Sequence, residues 1–197
     1  MNYLFLDIET VPIKINNEDV KEYLMDKKIS KERRSMDPNY SKIITIGLKS
    51  NDKLELFYGD NEKELLVKFW DLVNKDVIIV THNGYGFDIP FLLIRSIVNN
   101  VLPKNINLNP WQMLNSNHFD TMLFFSQHSN FTNPRLDILA KLNNINTPEE
   151  RILGNEVEKF YKQGNWEKIK ERCTQDIELL EKVFNKLCKN YIENYKR

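Results

Sequence analysis

The sequence predicts an α/β fold, a mixed β-sheet flanked by helices. Three observations lead there. Short β-type apolar runs crowd the N-terminal part, at Tyr3–Ile8, Ile43–Leu48 and Leu54–Tyr58. From Asn61 onward helical periodicity dominates, broken by one clear buried strand at Val77–Val80. The 197 residues, 41% hydrophobic and 28% charged, suffice for one compact core and are too few for two comfortable ones. Strands that alternate with helices and then yield to them make a mixed sheet in one α/β domain spanning 1–197.

The elements follow in order. Tyr3–Ile8 is a buried strand, ended by Pro12, which cannot donate to a sheet ladder. Residues from about 14 to 40 form a variable charged insertion, with a short helical pattern from Val20 to Met25 and a basic cluster from Lys27 to Arg34. Ile43–Leu48 and Leu54–Tyr58 bracket the turn signal Ser50-Asn51-Asp52 and form an antiparallel hairpin. Asp60 or Asn61 caps a helix reaching about Asn74, with Leu65, Leu66, Phe69, Trp70 and Val73 on one face. After Val77–Val80 and the loop Thr81–Gly86, a helix runs from about Ile89 to Asn99, with Pro90 in its tolerant first turn. Residues 100–117 are loop-like, and His118–Phe125 is a short strand or a helix start. Leu136–Leu142 is helical, and two further helices cover about 155–162 and 165–189. There is no internal repeat and no low-complexity tract.

Composition excludes little. Lys plus Arg and Asp plus Glu both count 28, so net charge points to no partner, although a basic rim can be offset by a carboxylate-rich site. The two cysteines, Cys173 and Cys188, lie on one predicted helix, roughly 22 Å apart at about 1.5 Å per residue, beyond disulfide reach. They are small buried residues of a reducing compartment. The N-terminal apolar run is too short for a signal peptide and no run is long enough to span a membrane, so a cytoplasmic protein is expected.

The chemistry lies in the carboxylates. Asp7 and Glu9, two apart in a strand, leave the same face of the sheet. Two acids inside an apolar strand need a cationic partner, and hard oxygen ligands favour Mg²⁺ or Mn²⁺. By itself the pair also fits a solvated strand end. Asp88 follows the loop His82-Asn83-Gly84-Tyr85-Gly86-Phe87 at a helix start, where it also fits a simple N-cap. Asp176 borders the apolar stripe of the last long helix, with Arg172 one turn earlier as an alternative i,i+4 partner.

Together these segments resemble the DEDD 3′–5′ exonucleases of the RNase H-like superfamily, the proofreading domains of DNA polymerases among them. Asp7-Ile8-Glu9-Thr10 resembles the first motif, and Asn83-Gly84-Tyr85-Gly86-Phe87-Asp88 the second, N-x-x-x-F-D. The continuation Ile89-Pro90-Phe91-Leu92 is similar to family-B polymerase exonuclease domains, and free-standing domains of that type are the nearest resemblance. Cys173-Thr174-Gln175-Asp176 resembles the third motif, and Leu136–Ala140 an element between the second and third. The resemblance implies an RNase H-like sheet and two divalent cations, Mg²⁺ or Mn²⁺, held by Asp7, Glu9, Asp88 and Asp176. Asp7 would bridge both, Glu9 and Asp176 would bind the water-activating one, and Asp88 would help place the second. Asn83 and the Thr10 backbone would contact the terminal nucleotide; Phe87 would line that site or simply pack.

The expected reaction is hydrolysis at nucleic-acid 3′ ends, with single-stranded DNA as substrate and replication or repair proteins as possible partners. The alternatives are a 3′–5′ exoribonuclease and a catalytically silent module that binds nucleic acid or a replication protein. One departure stands out. The family's third motif has a tyrosine four residues before its aspartate or a histidine five before, where this chain has Arg172 and Glu171. An arginine is no general base. Either Arg172 holds the scissile phosphate, or Tyr161, His118 or His128 replaces the missing group, or catalysis is lost. Asp120 is a further residue that could sit near the site. Trp70, Trp111 and Trp166 are expected as core or cover.

Overall fold

A computed structural model describes residues 2–51, 53–109 and 115–195. Trp111 lies outside the described residues. The chain runs β1 (Asn2–Pro12), α1 (Glu18–Asp26), α2 (Lys31–Ser35), β2 (Ser41–Ser50), β3 (Lys53–Tyr58), α3 (Glu62–Leu72), β4 (Val77–Thr81), α4 (Asp88–Val98), β5 (His118–Asp120), α5 (Thr121–Ser126), α6 (Leu136–Leu142), α7 (Val157–Lys162), α8 (Trp166–Leu187) and α9 (Lys189–Tyr195). A 3-10 turn, Gly154–Glu156, precedes α7.

The five strands form one mixed sheet in the order β3-β2-β1-β4-β5. The hairpin β2–β3 and the pair β1–β2 are antiparallel, while β4 lies parallel to both β1 and β5. The period-two rule sorts the core. Leu4, Leu6 and Ile8 of β1 pack with Leu66, Phe69 and Trp70 of α3 and with Phe91 and Leu92 of α4. Tyr3 and Phe5 point the other way, onto Ile177, Leu180 and Phe184 of α8. The Phe184 ring lies 4.7 Å from Tyr3 and 5.5 Å from Phe5, within the range of favourable aromatic pairs.

The predicted elements are present with small shifts. β1 runs past Ile8 to Pro12, and Asn61, not Asp60, caps α3 by accepting from the Glu64 N–H. His118–Phe125 is both things at once, a three-residue strand and then a helix whose N-cap is Asp120. The last predicted helix, about 165–189, is α8, which ends at Leu187 with Cys188 as its C-cap, and α9 follows beyond it as a helix that is not predicted. Both cysteines are buried and free. Trp70 is core, its Nε1–H donating to Ser96 Oγ at 2.8 Å, and Trp166 packs against Tyr58 and Tyr161. Among the described residues, no helix is long and apolar enough to cross a membrane.

Candidate active site

Sheet and helix geometry bring the first acids together. Asp7 and Glu9 share the parity of Tyr3 and Phe5, so they continue the β1 face that α8 covers. On β2 their partners are Gly47 and Thr45, and the register shifts between Glu9 and Thr10, a bulge beside the acid pair. Helix α8 can approach closely because Gly47 has no side chain. A Cβ there would stand 2.5 Å from Cys173 Sγ and nearer still to Ile177 Cδ1. Seated in this way, α8 turns Asp176 toward the strand. One carboxylate oxygen each from Asp7, Glu9 and Asp176 then lies within 4.8 Å of the others.

Asp88 arrives from the other side of β1. The chain leaves β4 through a tight loop in which Asn83 has φ +69° and Gly84 sits against Thr81 with no room for a Cβ. The Asp120 carboxylate holds this loop. It accepts from the N–H groups of Asn83 (3.0 Å) and Tyr85 (2.9 Å), as well as from Met122 and Leu123 at the start of α5. Asp88 is the first residue of α4 and not its cap, a position taken by Phe87 with no side-chain bond. Its side chain is therefore available to the site. Asp88 stands outside the close triplet, yet it lines the same groove as Asp7 and feels that carboxylate's negative charge.

The electrostatics are those of an acid cluster short of positive charge. Burial, then Glu9 and Asp176, push the Asp7 carboxyl well above its usual range. Burial, then Asp7, do the same to Asp88. Glu9 is raised to about 8, chiefly by burial; Arg172 opposes the rise. Buried oxygens remain without a hydrogen bond on Asp7 (Oδ2), Glu9 (Oε1) and Asp88 (Oδ1). Such orphans are rare in folded proteins and costly. Hard carboxyl oxygens converging from three segments, those of Asp7, Glu9 and Asp88 orphaned and those of Asp176 close by, fit one or two divalent cations of the Mg²⁺ or Mn²⁺ type.

Arginine supplies the positive charge. Arg172 Nε lies 2.8 Å from Glu9 Oε1, and its Nη1 lies 3.1 Å from Asp176 Oδ2 and donates to the Ile152 carbonyl at 2.9 Å. The Nε contact is close but poorly aligned, so both atoms also stand among those without a hydrogen bond. Burial opposes the Arg172 charge, but Glu9, Asp176 and Asp7 more than restore it. Asp176 Oδ1 pairs with Arg151 Nη2, Arg151 Nη1 lies 3.6 Å from Asp137 Oδ1, and Asp137 pairs with Arg135 at 3.1 Å. Burial acts to raise the Asp137 carboxyl, yet the two arginines hold it below its usual range. Charges thus alternate along one wall from Arg135 to Glu9.

These residues line an open groove of about 910 Å³ that also takes in Thr10, Asn83 and Phe87. Thr10 Oγ1 donates to Ser35 of α2 at 2.9 Å, and the Phe87 ring packs 4.8 Å from Phe91, so Phe87 both packs and borders the groove. The basic cluster contributes Lys31, which pairs with Glu158. The proposed substitutes for the missing tyrosine are not in the groove. Tyr161 hydrogen-bonds Asp60, and His118 is buried in β5 against Thr81 Oγ1. His128 also lies off the lining. His82 does line it, fixed between Thr121 Oγ1 and the Pro134 carbonyl, and burial lowers its pKa. Arg151 carries no motif signal, while Asp137 and His82 lie in the segments Leu136–Ala140 and His82–Phe87 without being singled out by them; tertiary packing brings all three here.

Residues 36–181 match the family described as predicted 3′–5′ exonucleases related to the exonuclease domain of PolB. The chain belongs to this family. The matched span of this PolB-related exonuclease family holds Asp88 and Asp176 and begins after β1, so Asp7 and Glu9 enter through the fold. An uncharacterized protein of Methanocaldococcus jannaschii is 29% identical over 161 residues, 75% of this chain and 86% of the relative. DNA polymerase 1 of Sulfolobus acidocaldarius is 28% identical over 98 residues, 48% of this chain but only 10% of the polymerase. Among solved structures, the family B DNA polymerase of Pyrobaculum calidifontis superposes with TM-score 0.68 at 19% identity, covering 94% of this chain and 24% of that one. Exonuclease I superposes with TM-score 0.55 at 14% identity, covering 98% of this chain and 44% of that one. At such identities these likenesses establish the fold, an RNase H-like exonuclease fold.

Proposed function

We propose that this chain is a two-metal-ion 3′–5′ exonuclease hydrolysing phosphodiester bonds at nucleic-acid 3′ ends, with single-stranded DNA as its substrate. One observation carries the reading. Asp7, Glu9 and Asp176 present oxygens within 4.8 Å of one another in an open groove of about 910 Å³. Family membership and the exonuclease and polymerase neighbours support it. Residues 1–197 would act as one exonuclease unit, with α1 and α2 as an insertion at about 14–40 beside the groove.

Bound divalent cations would supply Lewis acidity to a water and to the leaving 3′-oxygen. Asp7, placed among the other acids, would serve both positions, with Glu9 and Asp176 completing one and Asp88 the other. Arg172 stays protonated beside Glu9 and Asp176, so it cannot take the water's proton; its role is to hold the scissile phosphate and balance developing charge. Asn83, Thr10 and Phe87 would receive the terminal nucleotide. Replication or repair proteins would be its partners.

A second reading, a catalytically silent nucleic-acid-binding module, draws support from Arg172 and Arg151 already sitting on Asp176. A 5′-labelled oligonucleotide separates the readings. Mg²⁺- or Mn²⁺-dependent shortening from the 3′ end, abolished in Asp7→Ala, supports the exonuclease. Binding unaffected by Asp7→Ala, with every DNA and RNA end left intact, supports the silent module. Faster shortening of RNA than DNA would redirect the reading to an exoribonuclease.

A further inference from the structure

The two carboxylate oxygens of Asp176 are both occupied, one by each of two arginines. Oδ1 meets Arg151 and Oδ2 meets Arg172 at 3.1 Å. Each oxygen keeps a second lone pair, but a cation that ligates it competes with the guanidinium there for the same negative charge and so weakens at least one of the two pairs. The loosened group cannot turn to bulk water cheaply, because the side chains of Arg151, Arg172 and Asp176 are only 22%, 18% and 12% exposed. Arg172 then keeps only Glu9 and Arg151 only Asp137, and a partly buried guanidinium left with one of its two carboxylate partners accepts a further anion.

Both arginines are also held in place when Asp176 lets go. Arg172 keeps its bond to the Ile152 carbonyl and passes over Gly154, where a Cβ would stand 3.4 Å from its Nη2. Arg151 keeps Asp137, 3.6 Å away and already shared with Arg135. Neither arginine would swing out into solvent. Both line the groove, and the guanidinium fork suits a phosphate better than any other common anion of a nucleic acid.

We infer that Arg151 and Arg172 form a phosphodiester-binding pair latched by Asp176, and that the latch opens only when a divalent cation takes that carboxylate. The inference rests on the metal-dependent reading above and adds to it a new residue, Arg151, and an order of events. The cation and the strand end bind cooperatively, because each relieves the charge imbalance left by the other. The same latch keeps the groove's phosphate site closed in the metal-free chain.

Titration calorimetry on the full chain tests it, with Mn²⁺ alone and with thymidine 5′-monophosphate as the phosphate probe at saturating Mn²⁺. Arg151→Gln removes a competitor for Asp176 and a ligand for phosphate. It is therefore expected to bind Mn²⁺ more tightly and the nucleotide about tenfold more weakly, the loss of one charge-assisted contact. A merely structural arginine would weaken both together or change neither, and either result overturns the latch. Should Arg151→Gln fail to fold, Arg151→Lys carries the same test. It keeps the charge but loses the fork, so nucleotide affinity falls while Mn²⁺ affinity does not; a fall in both overturns the proposal. A wild-type chain that takes up no Mn²⁺ overturns the metal-dependent function itself, a distinct outcome.

Discussion

Arg172 of α8 lies 2.8 Å from Glu9 of β1, so a permanent cation stands where the third motif of this superfamily leads one to expect a tyrosine. The contact joins the two elements that carry three of the four candidate ligands. It also explains how four acids can share one cleft in a chain without a bound cation: Arg172 and Arg151 neutralise part of the charge, and raised carboxyl pKa values deal with the rest.

Removing that cation should hurt the metal-free protein most. Arg172→Ala leaves Glu9 and one Asp176 oxygen without their partner. The expected loss is at or below the roughly 3–5 kcal/mol typical of breaking a buried pair. Thermal unfolding with and without Mn²⁺ checks this: the deficit is expected to shrink when the metal is present.

The pH dependence follows from Glu9. Its carboxyl titrates near 8 in the folded chain against 4.5 ordinarily, so between those values the folded state keeps a proton that the unfolded state has released. Stability of the metal-free protein therefore falls as pH rises through this window. His82, whose pKa is lowered by burial, acts in the opposite sense below about 6.5. The difference between wild type and Glu9→Gln isolates the Glu9 contribution: denaturant midpoints of wild type should decline more steeply from pH 5 to pH 8 than those of the variant.

Gly47 tests the close approach of α8. Gly47→Ala puts a methyl group into Cys173 and Ile177, forcing the helix and Asp176 away from Asp7. Destabilisation of about 1–3 kcal/mol is expected from overpacking, with weaker Mn²⁺ binding alongside it. Unchanged metal affinity in a destabilised Gly47→Ala would mean that the position of α8 does not govern the site.

Asp120 is expected to position the loop that delivers Asn83 and Asp88. Asp120→Ala strips four backbone N–H groups of their acceptor. Faster amide hydrogen exchange at Asn83 and Tyr85, with a loss of at least about 1–2 kcal/mol, is the expected signature.

How much of this was legible in the sequence depended on range. The strand Tyr3–Ile8, the hairpin and Leu136–Leu142 rest on local periodicity, and the acid pair Asp7 and Glu9 follows from period two alone. Asp88 and Asp176 needed motifs, because nothing local separates a helix-start aspartate from a cap or a helical aspartate from an i,i+4 partner. Arg151 meets Asp176 across 25 residues, and Asp120 meets Asn83 across 37, separations at which a single sequence carries no signal. Tyr161 failed as a candidate for the same reason, since its hydroxyl is engaged by Asp60, 101 residues away. Helix α9 lies beyond the end expected for the last helix at about 189, and no glycine or proline marks the break at Cys188 that sets it apart from α8.

The most direct test of the central claim is anomalous scattering from crystals of the wild-type chain soaked in Mn²⁺. Manganese peaks are predicted among Asp7, Glu9 and Asp176, within direct ligation distance of their oxygens, with Arg151 or Arg172 withdrawn from Asp176. An acid cluster without manganese, its two arginines still seated on Asp176, would contradict the account.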